Sequence, residues 1–289
     1  MKPFLRRNLP LPIATMAYPG PLAASNQVTT LERNLREYLP AMVNMIIDDS
    51  FPWSRIESQF EKKIESRFAG KKDNELVTVE ASIYDIIISV KSGKRSHLGL
   101  LLYLNSLFEE LSAQLSNSEI LEVRSAIKSL LLSFDKKYLN FVGELSVLNT
   151  LKKTSNIILH KHEYVLPNNK SVDFDIEIKE PNMKMLLEVL NIHLNEDKVE
   201  NDHDLIERFF MKRIQDKKNS KIKGLDESIN IHFIPVVWGS YDELLVYQDF
   251  FSNNKIDVEF AHEPMSFLSY SDDNGYYAFR FVPLSKLNG

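Results

Sequence analysis

Three acidic residues stand out as side chains that can do chemistry together. Glu144 lies in a segment with the composition of a helix, Asp173 in a segment of alternating polarity, and Glu188 in a largely apolar segment. A carboxylate among apolar neighbours costs free energy unless a positive partner meets it. A divalent cation is such a partner. The residue types therefore predict a metal site built from these three acids.

The elements that carry the acids follow a definite order. Residues 137–153 read as a helix, and three strand-like segments follow it, the second with period-two alternation and the third apolar throughout. A charged helix from Asp202 to about Lys221 and another apolar strand complete an α-β-β-β-α-β unit. A further helix and a hairpin around residues 272–275 are predicted after it. The fold class is predicted as α/β (α+β).

The residues before this unit predict a different organisation. Residues 1–25 are rich in proline and have no period, so we expect an irregular N-terminal arm. Residues 26–135 are mainly of helical pattern; Ile56, Phe60, Ile64 and Phe68 form one apolar stripe. We therefore expect a helical domain at 26–135 and an α/β domain at 136–289.

Composition narrows the classes of function. The chain has no cysteine, which excludes disulfides, a thiolate zinc site and a cysteine nucleophile. The formal net charge is −5, so any contact with nucleic acid must use a local basic surface. The N-terminus has early positive charge, as a secretory signal does, but four prolines interrupt its apolar segment. No apolar run reaches the roughly 20 residues that span a bilayer. We expect a cytoplasmic protein that does not enter a membrane.

The element order and the positions of the acids resemble the PD-(D/E)XK nuclease superfamily, the restriction endonuclease-like fold. The resemblance covers about residues 137–250. Glu144 in FVGEL matches the helix acid, Asp173 in SVDFDI matches the second-strand aspartate, and Glu188 in LLEVLN matches the acid of the E-x-K element. Val172 stands where the family usually has proline, and Leu190 stands where it has lysine.

The resemblance implies an endonuclease that hydrolyses DNA phosphodiester bonds with Mg²⁺ or Mn²⁺, with defence against foreign DNA as a frequent role. RNA is the alternative substrate, and a homodimer is an assembly the family allows. Glu144, Asp173 and Glu188 would hold the metal, which polarises phosphate and activates water. The family's lysine helps to position that water and offsets developing negative charge.

Leu190 cannot replace that lysine, so we looked for it on the following helix. Lys212, Gln215 and Lys217 are the candidates, and we expect Lys212 to take the catalytic role. Lys212, Arg213, Lys217 and Lys218 are also the expected contacts to nucleic-acid phosphates. His193, five residues after Glu188, belongs to the opposite strand face and is a poor substitute.

Other interpretations stay open at the level of sequence. The missing lysine favours a catalytically inactive nuclease-fold module that binds nucleic acid or a protein. The acids Asp173, Asp175 and Glu177 also fit the solvated face of an ordinary strand. A zinc pair at His160 and His162 is a further alternative, because residues i and i+2 share a strand face.

Overall fold

A computed structural model describes residues 28–46, 51–69, 82–94, 97–133, 137–180, 182–194, 203–226, 229–253, 262–271 and 277–287. Within these residues the chain forms nine α-helices and a six-stranded mixed sheet. The architecture is mixed α/β, as predicted. The predicted N-terminal arm and the turn at residues 272–275 lie outside the described residues.

The first six helices precede the sheet: α1 (Thr30–Tyr38), α2 (Pro40–Ile46), α3 (Trp53–Phe68), α4 (Ile83–Lys91), α5 (Leu98–Gln114) and α6 (Asn117–Leu132). Then follow α7 (Tyr138–Thr154), β1 (Ile157–Val165), β2 (Ser171–Ile178), β3 (Met183–His193), α8 (His203–Ile222) and β4 (Ile231–Gly239). Helix α9 (Tyr241–Asn253) and strands β5 (Met265–Ser271) and β6 (Tyr277–Pro283) come last. The predicted α-β-β-β-α-β order is confirmed.

The sheet has the strand order β1-β2-β3-β4-β5-β6. Strands β1, β2 and β3 are antiparallel neighbours, which the short connections between them permit. Strand β4 pairs parallel with β3 after the crossover through α8, and β5 pairs parallel with β4 after α9. Strands β5 and β6 form the predicted antiparallel hairpin.

Helices cover both faces of the sheet. Helices α5, α6 and α7 lie on one face, where α7 packs on β3 and α6 on β1. Helices α8 and α9 cover the other face through apolar side chains such as Phe210, Ile214 and Tyr247, which pack on Leu190 and Ile192 of β3. Burial on both faces explains why β3 and β4 are apolar runs without strict alternation.

The helical part and the sheet share one hydrophobic core. A single cluster of buried residues runs from Leu31 in α1 through Phe108 in α5 to Phe174 in β2 and Phe267 in β5. It crosses the predicted boundary between residues 135 and 136. The division into separately folding domains stays a prediction. Among the described helices, none has both the length and the apolar character needed to cross a membrane.

Candidate active site

Strands β2 and β3 part at the position of the acids. Their paired register runs from Ile178 and Met183 to Phe174 and Leu187, and does not continue to Asp173 and Glu188. Beyond that point the Asp173 carboxylate accepts a hydrogen bond of 2.6 Å from the backbone N–H of Val189. The side chain of Asp173 thus satisfies the donor of β3 where the strand ladder ends.

Glu188 is the most deeply buried of the three acids. Its side chain is 0% exposed, and its Oε1 lies 2.7 Å from Nζ of Lys217 and 2.9 Å from Nζ of Lys221. Both contacts are at ion-pair distance, so Oε1 meets positive charge. Neither Oε1 nor Oε2 has a partner with good hydrogen-bond geometry among the described residues, so the contacts with the two lysines are ionic. Two lysines of α8 therefore stabilise the buried charge of Glu188.

The catalytic role expected for Lys212 stays a prediction, but other lysines lie at Glu188. Lys212 is exposed on α8, and the lysines that contact Glu188 are Lys217 and Lys221. Residues four apart share a helix face, whereas Lys212 is turned about 140° away from Lys217 at about 100° per residue. Leu190 is buried among the apolar residues that α8 covers.

Glu144 reaches the same site from α7. Its side chain is 13% exposed, and one of its oxygens lies 3.5 Å from Nε2 of His162. Burial, and next the negative charge of Glu188, raise the pKa of Glu144 to about 8. Burial and the charge of Glu144 also raise the pKa of Asp173. These shifts are those of carboxyl groups that share a site with too little positive charge.

A pocket of about 360 Å³ joins two of the acids to α8. Glu144 and Asp173 line it together with Val189 and Asn191 from β3, and Arg213 and Lys217 from α8 are on its wall. Lys217 is half-buried there. Burial lowers the pKa of Lys217, but the negative charge of Glu188 raises it, and the net result is a raised pKa. Carboxylates and cations thus face one space that is large enough for a phosphate group.

A glycine brings α7 close to β3 beside this pocket. A Cβ atom on Gly143 would lie 2.1 Å from Oδ1 of Asn191. Asn191 is itself fixed, because its Oδ1 accepts from Nε1 of Trp238 at 2.9 Å and its amide donates to the carbonyl of Asn140 at 3.3 Å. The close approach places Glu144, the next residue, over the point where β2 and β3 part.

We expect Gly143→Ala to destabilise the protein by about 1–3 kcal/mol, because overpacking must displace Asn191. Urea denaturation measures the change. A double variant with Asn191→Ala removes the clash and should lose less than the sum of the two single variants. At an open helix position the same change stabilises by about 0.5–1 kcal/mol, and that result for Gly143→Ala would contradict the packing described.

The proposed zinc pair does not share a strand face. A β-bulge in β1 between Leu159 and Lys161 shifts the pairing with β2. As a consequence His160 is exposed and lies 2.9 Å from Glu177, whereas His162 is buried on the α7 side. The period-two expectation was wrong here because a bulge inserts one residue into the alternation. His193 is exposed and stacks on Trp238.

The acids fit a divalent cation in donor type and charge. Oxygen donors are what Mg²⁺ and Mn²⁺ prefer. Glu144 and Asp173 face the pocket, and among the described residues neither has a lysine or arginine at ion-pair distance, as Glu188 has. Within the described part of the chain, no group of three or more histidine or acidic side chains is arranged closely enough to hold a metal ion. The fit is therefore one of chemistry, and the carboxylates would have to draw together around the ion.

No protein-family model, curated protein or solved structure matches the chain significantly. The site is thus interpreted from its own residues. The sequence predicted that Glu144, Asp173 and Glu188 lie together, but it did not assign Asn191 or Lys221 to their surroundings and gave His162 a different role, in a zinc pair. The spacing of Lys217 and Lys221, four residues apart on a predicted helix, was the signal for Lys221.

Proposed function

We propose that the protein is a metal-dependent nuclease that hydrolyses phosphodiester bonds of DNA, with a restriction endonuclease-like core formed by α7, β1–β3, α8 and β4. The observation that carries the proposal is the parting of β2 and β3 at Asp173, next to a buried Glu188 that two lysines contact. In an ordinary surface strand, the acids face solvent and the strand pairing continues past them, so such a strand does not account for a buried Glu188 at the end of the pairing.

The residues divide into roles by position. Asp173, Glu188 and Glu144 would hold the divalent ion, which would supply Lewis acidity and an activated water. Lys217 lies between Glu188 and the pocket, where its ammonium group offsets negative charge that develops on the phosphate. Arg213 also lines the pocket, where its guanidinium group would contact a neighbouring phosphate of the substrate.

The test is cleavage of supercoiled plasmid, single-stranded DNA and RNA with Mg²⁺, Mn²⁺ or EDTA. We expect metal-dependent cleavage of DNA, lowered about 100-fold by Lys217→Met, because loss of one preorganised charge at the transition state costs about that much. Lys212→Met removes the same charge from an exposed position of the same helix and should change the rate by less than about twofold.

Loss of cleavage in Lys212→Met with retention in Lys217→Met would reverse the assignment of the lysine. If the wild-type protein cleaves none of the substrates with either metal, the proposed activity is wrong.

A second function is favoured by the same lysines. Lys217 and Lys221 already neutralise Glu188 without a metal, and Leu190 stands at the usual lysine position. An inactive module that binds nucleic acid would use the basic side of α8, including Lys212 and Lys218, to contact phosphates. It would bind DNA in EDTA with an affinity that falls as salt increases, which fluorescence anisotropy measures, and it would cleave nothing.

A further inference from the structure

His162 is fully buried in strand β1, and one of its ring nitrogens lacks a hydrogen-bond partner among the described residues. Its side chain is 0% exposed, and its Nε2 has no hydrogen-bond partner among the described residues. Nδ1 lies 3.4 Å from Oγ of Ser125 on α6. A buried ring nitrogen without a partner costs about 1–3 kcal/mol, so this position is not explained by packing alone.

The backbone of β1 is shaped so that His162 points inward. The bulge between Leu159 and Lys161 reverses the alternation, and without it Lys161 would take the buried side. The next residue, Glu163, has a φ of 53°, which a residue with a side chain adopts at some cost. Local backbone strain of this kind persists where the surrounding structure imposes it, and it is concentrated at functional sites.

The group that Nε2 approaches is the carboxylate of Glu144, at 3.5 Å. Ser125 can donate its hydroxyl hydrogen to Nδ1, which leaves the imidazole hydrogen on Nε2, the ring nitrogen that approaches Glu144. The ring of Phe174 also lies beside the imidazole, with the two ring centres 5.5 Å apart. The imidazole therefore contacts both an apolar ring and one acid of the site.

We propose that His162 is a positioning residue for Glu144, which it holds by a hydrogen bond from Nε2 when the carboxylates draw together around a divalent ion. The inference rests on the proposed nuclease function. Partners of metal ligands orient the ligand, and their loss weakens metal binding about 10- to 100-fold. His162 touches neither metal nor substrate, and it acts through Glu144.

The experiment compares His162→Phe, His162→Gln and a matched control, His160→Phe, in the full-length protein. Mn²⁺ binding is measured by isothermal titration calorimetry, DNA cleavage by rate, and stability by thermal unfolding in EDTA. For His162→Phe we expect the Kd for Mn²⁺ to rise about 10- to 100-fold with no loss of thermal stability. His162→Gln, whose amide can donate from the place of Nε2, should recover part of the affinity. His160 is exposed and paired with Glu177, so His160→Phe should bind Mn²⁺ as the wild type does.

Three outcomes overturn the proposal in distinguishable ways. If wild-type protein binds Mn²⁺ and cleaves DNA, and His162→Phe does both equally well, His162 has no positioning role and the proposed function stands. If wild-type protein neither binds Mn²⁺ nor cleaves, the proposed function fails and this proposal fails with it. Lower thermal stability of His162→Phe with unchanged Mn²⁺ affinity would assign His162 to packing and also overturn the proposal.

Discussion

Asp173→Asn should lower the rate of DNA cleavage by at least about 10³-fold, because metal-assisted stabilisation worth several kcal/mol depends on this carboxylate. The structural role of the side chain survives the change. An asparagine oxygen can still accept the hydrogen bond from Val189 N–H that the carboxylate accepts at 2.6 Å. The variant thus removes one negative charge and keeps the local backbone geometry.

The stability of the same variant should move in the opposite direction. Burial and the charge of Glu144 raise the pKa of Asp173 above its ordinary value, so the folded protein binds the proton more tightly than the unfolded chain does. Such a group destabilises the fold once pH exceeds the pKa of the unfolded chain. Asp173→Asn removes that penalty, and its melting temperature in EDTA at pH 7 to 8 should equal or exceed that of the wild type.

Cleavage assays with Mg²⁺ and thermal melts in EDTA measure the two effects together. Asp175→Asn is the matched control, since Asp175 lies two residues along β2, pairs with β1 and β3, and does not line the pocket. It should cleave DNA at nearly the wild-type rate. Full activity of Asp173→Asn would remove Asp173 from the proposed site.

Removal of both lysines that contact Glu188 should strongly destabilise the fold. In the double variant Lys217→Met and Lys221→Met, the carboxylate of Glu188, 0% exposed, has no cation left. An uncompensated buried charge of this kind costs about 3–5 kcal/mol. We expect Lys221 to stabilise the carboxylate of Glu188 more than Lys217 does, because the side chain of Lys221 is 16% exposed and that of Lys217 is 37% exposed. Each single variant leaves one cation in place and should lose much less.

Urea denaturation at neutral pH measures this loss. Lys212→Met with Lys218→Met makes the same change of net charge at exposed positions of α8 and should cost under about 1 kcal/mol. Adding Glu188→Met to the first double variant removes the stranded charge and should restore most of the stability, because apolar replacements of buried ion pairs are often neutral. A double variant no less stable than its control would show that Glu188 does not need these lysines.

The sequence was sufficient to predict the element order and the acids, because each rests on a local pattern. Period-two alternation predicted strand β2, an unbroken apolar run predicted strand β3, and a charged segment predicted helix α8. The acids were recognisable because Glu188 interrupts an apolar run. Each of these signals belongs to one element and does not depend on how elements pack.

The parts that were not predicted depend on packing between elements. The contact of Glu188 with Lys217 and Lys221 depends on the rotation of α8 about its axis, which Phe210 and Ile214 set by packing on β3. The shared strand face expected for a zinc pair is absent, because a one-residue bulge in β1 puts His160 and His162 on opposite faces of the strand. The role of Gly143 became visible only when Asn191 was found opposite it.

The core that joins α1–α6 to the sheet has a consequence for synthesis. Tyr103 in α5 packs edge-to-face on Phe267 in β5, with ring centres 5.1 Å apart, although the ribosome makes these residues far apart in time. Helix α5 emerges before β5, so the side of α5 that carries Tyr103 stays uncovered until β5 has left the ribosome. We therefore expect nascent chains that stop before Phe267 to bind chaperones and to be degraded readily, so that this core is completed only after β5 has been made.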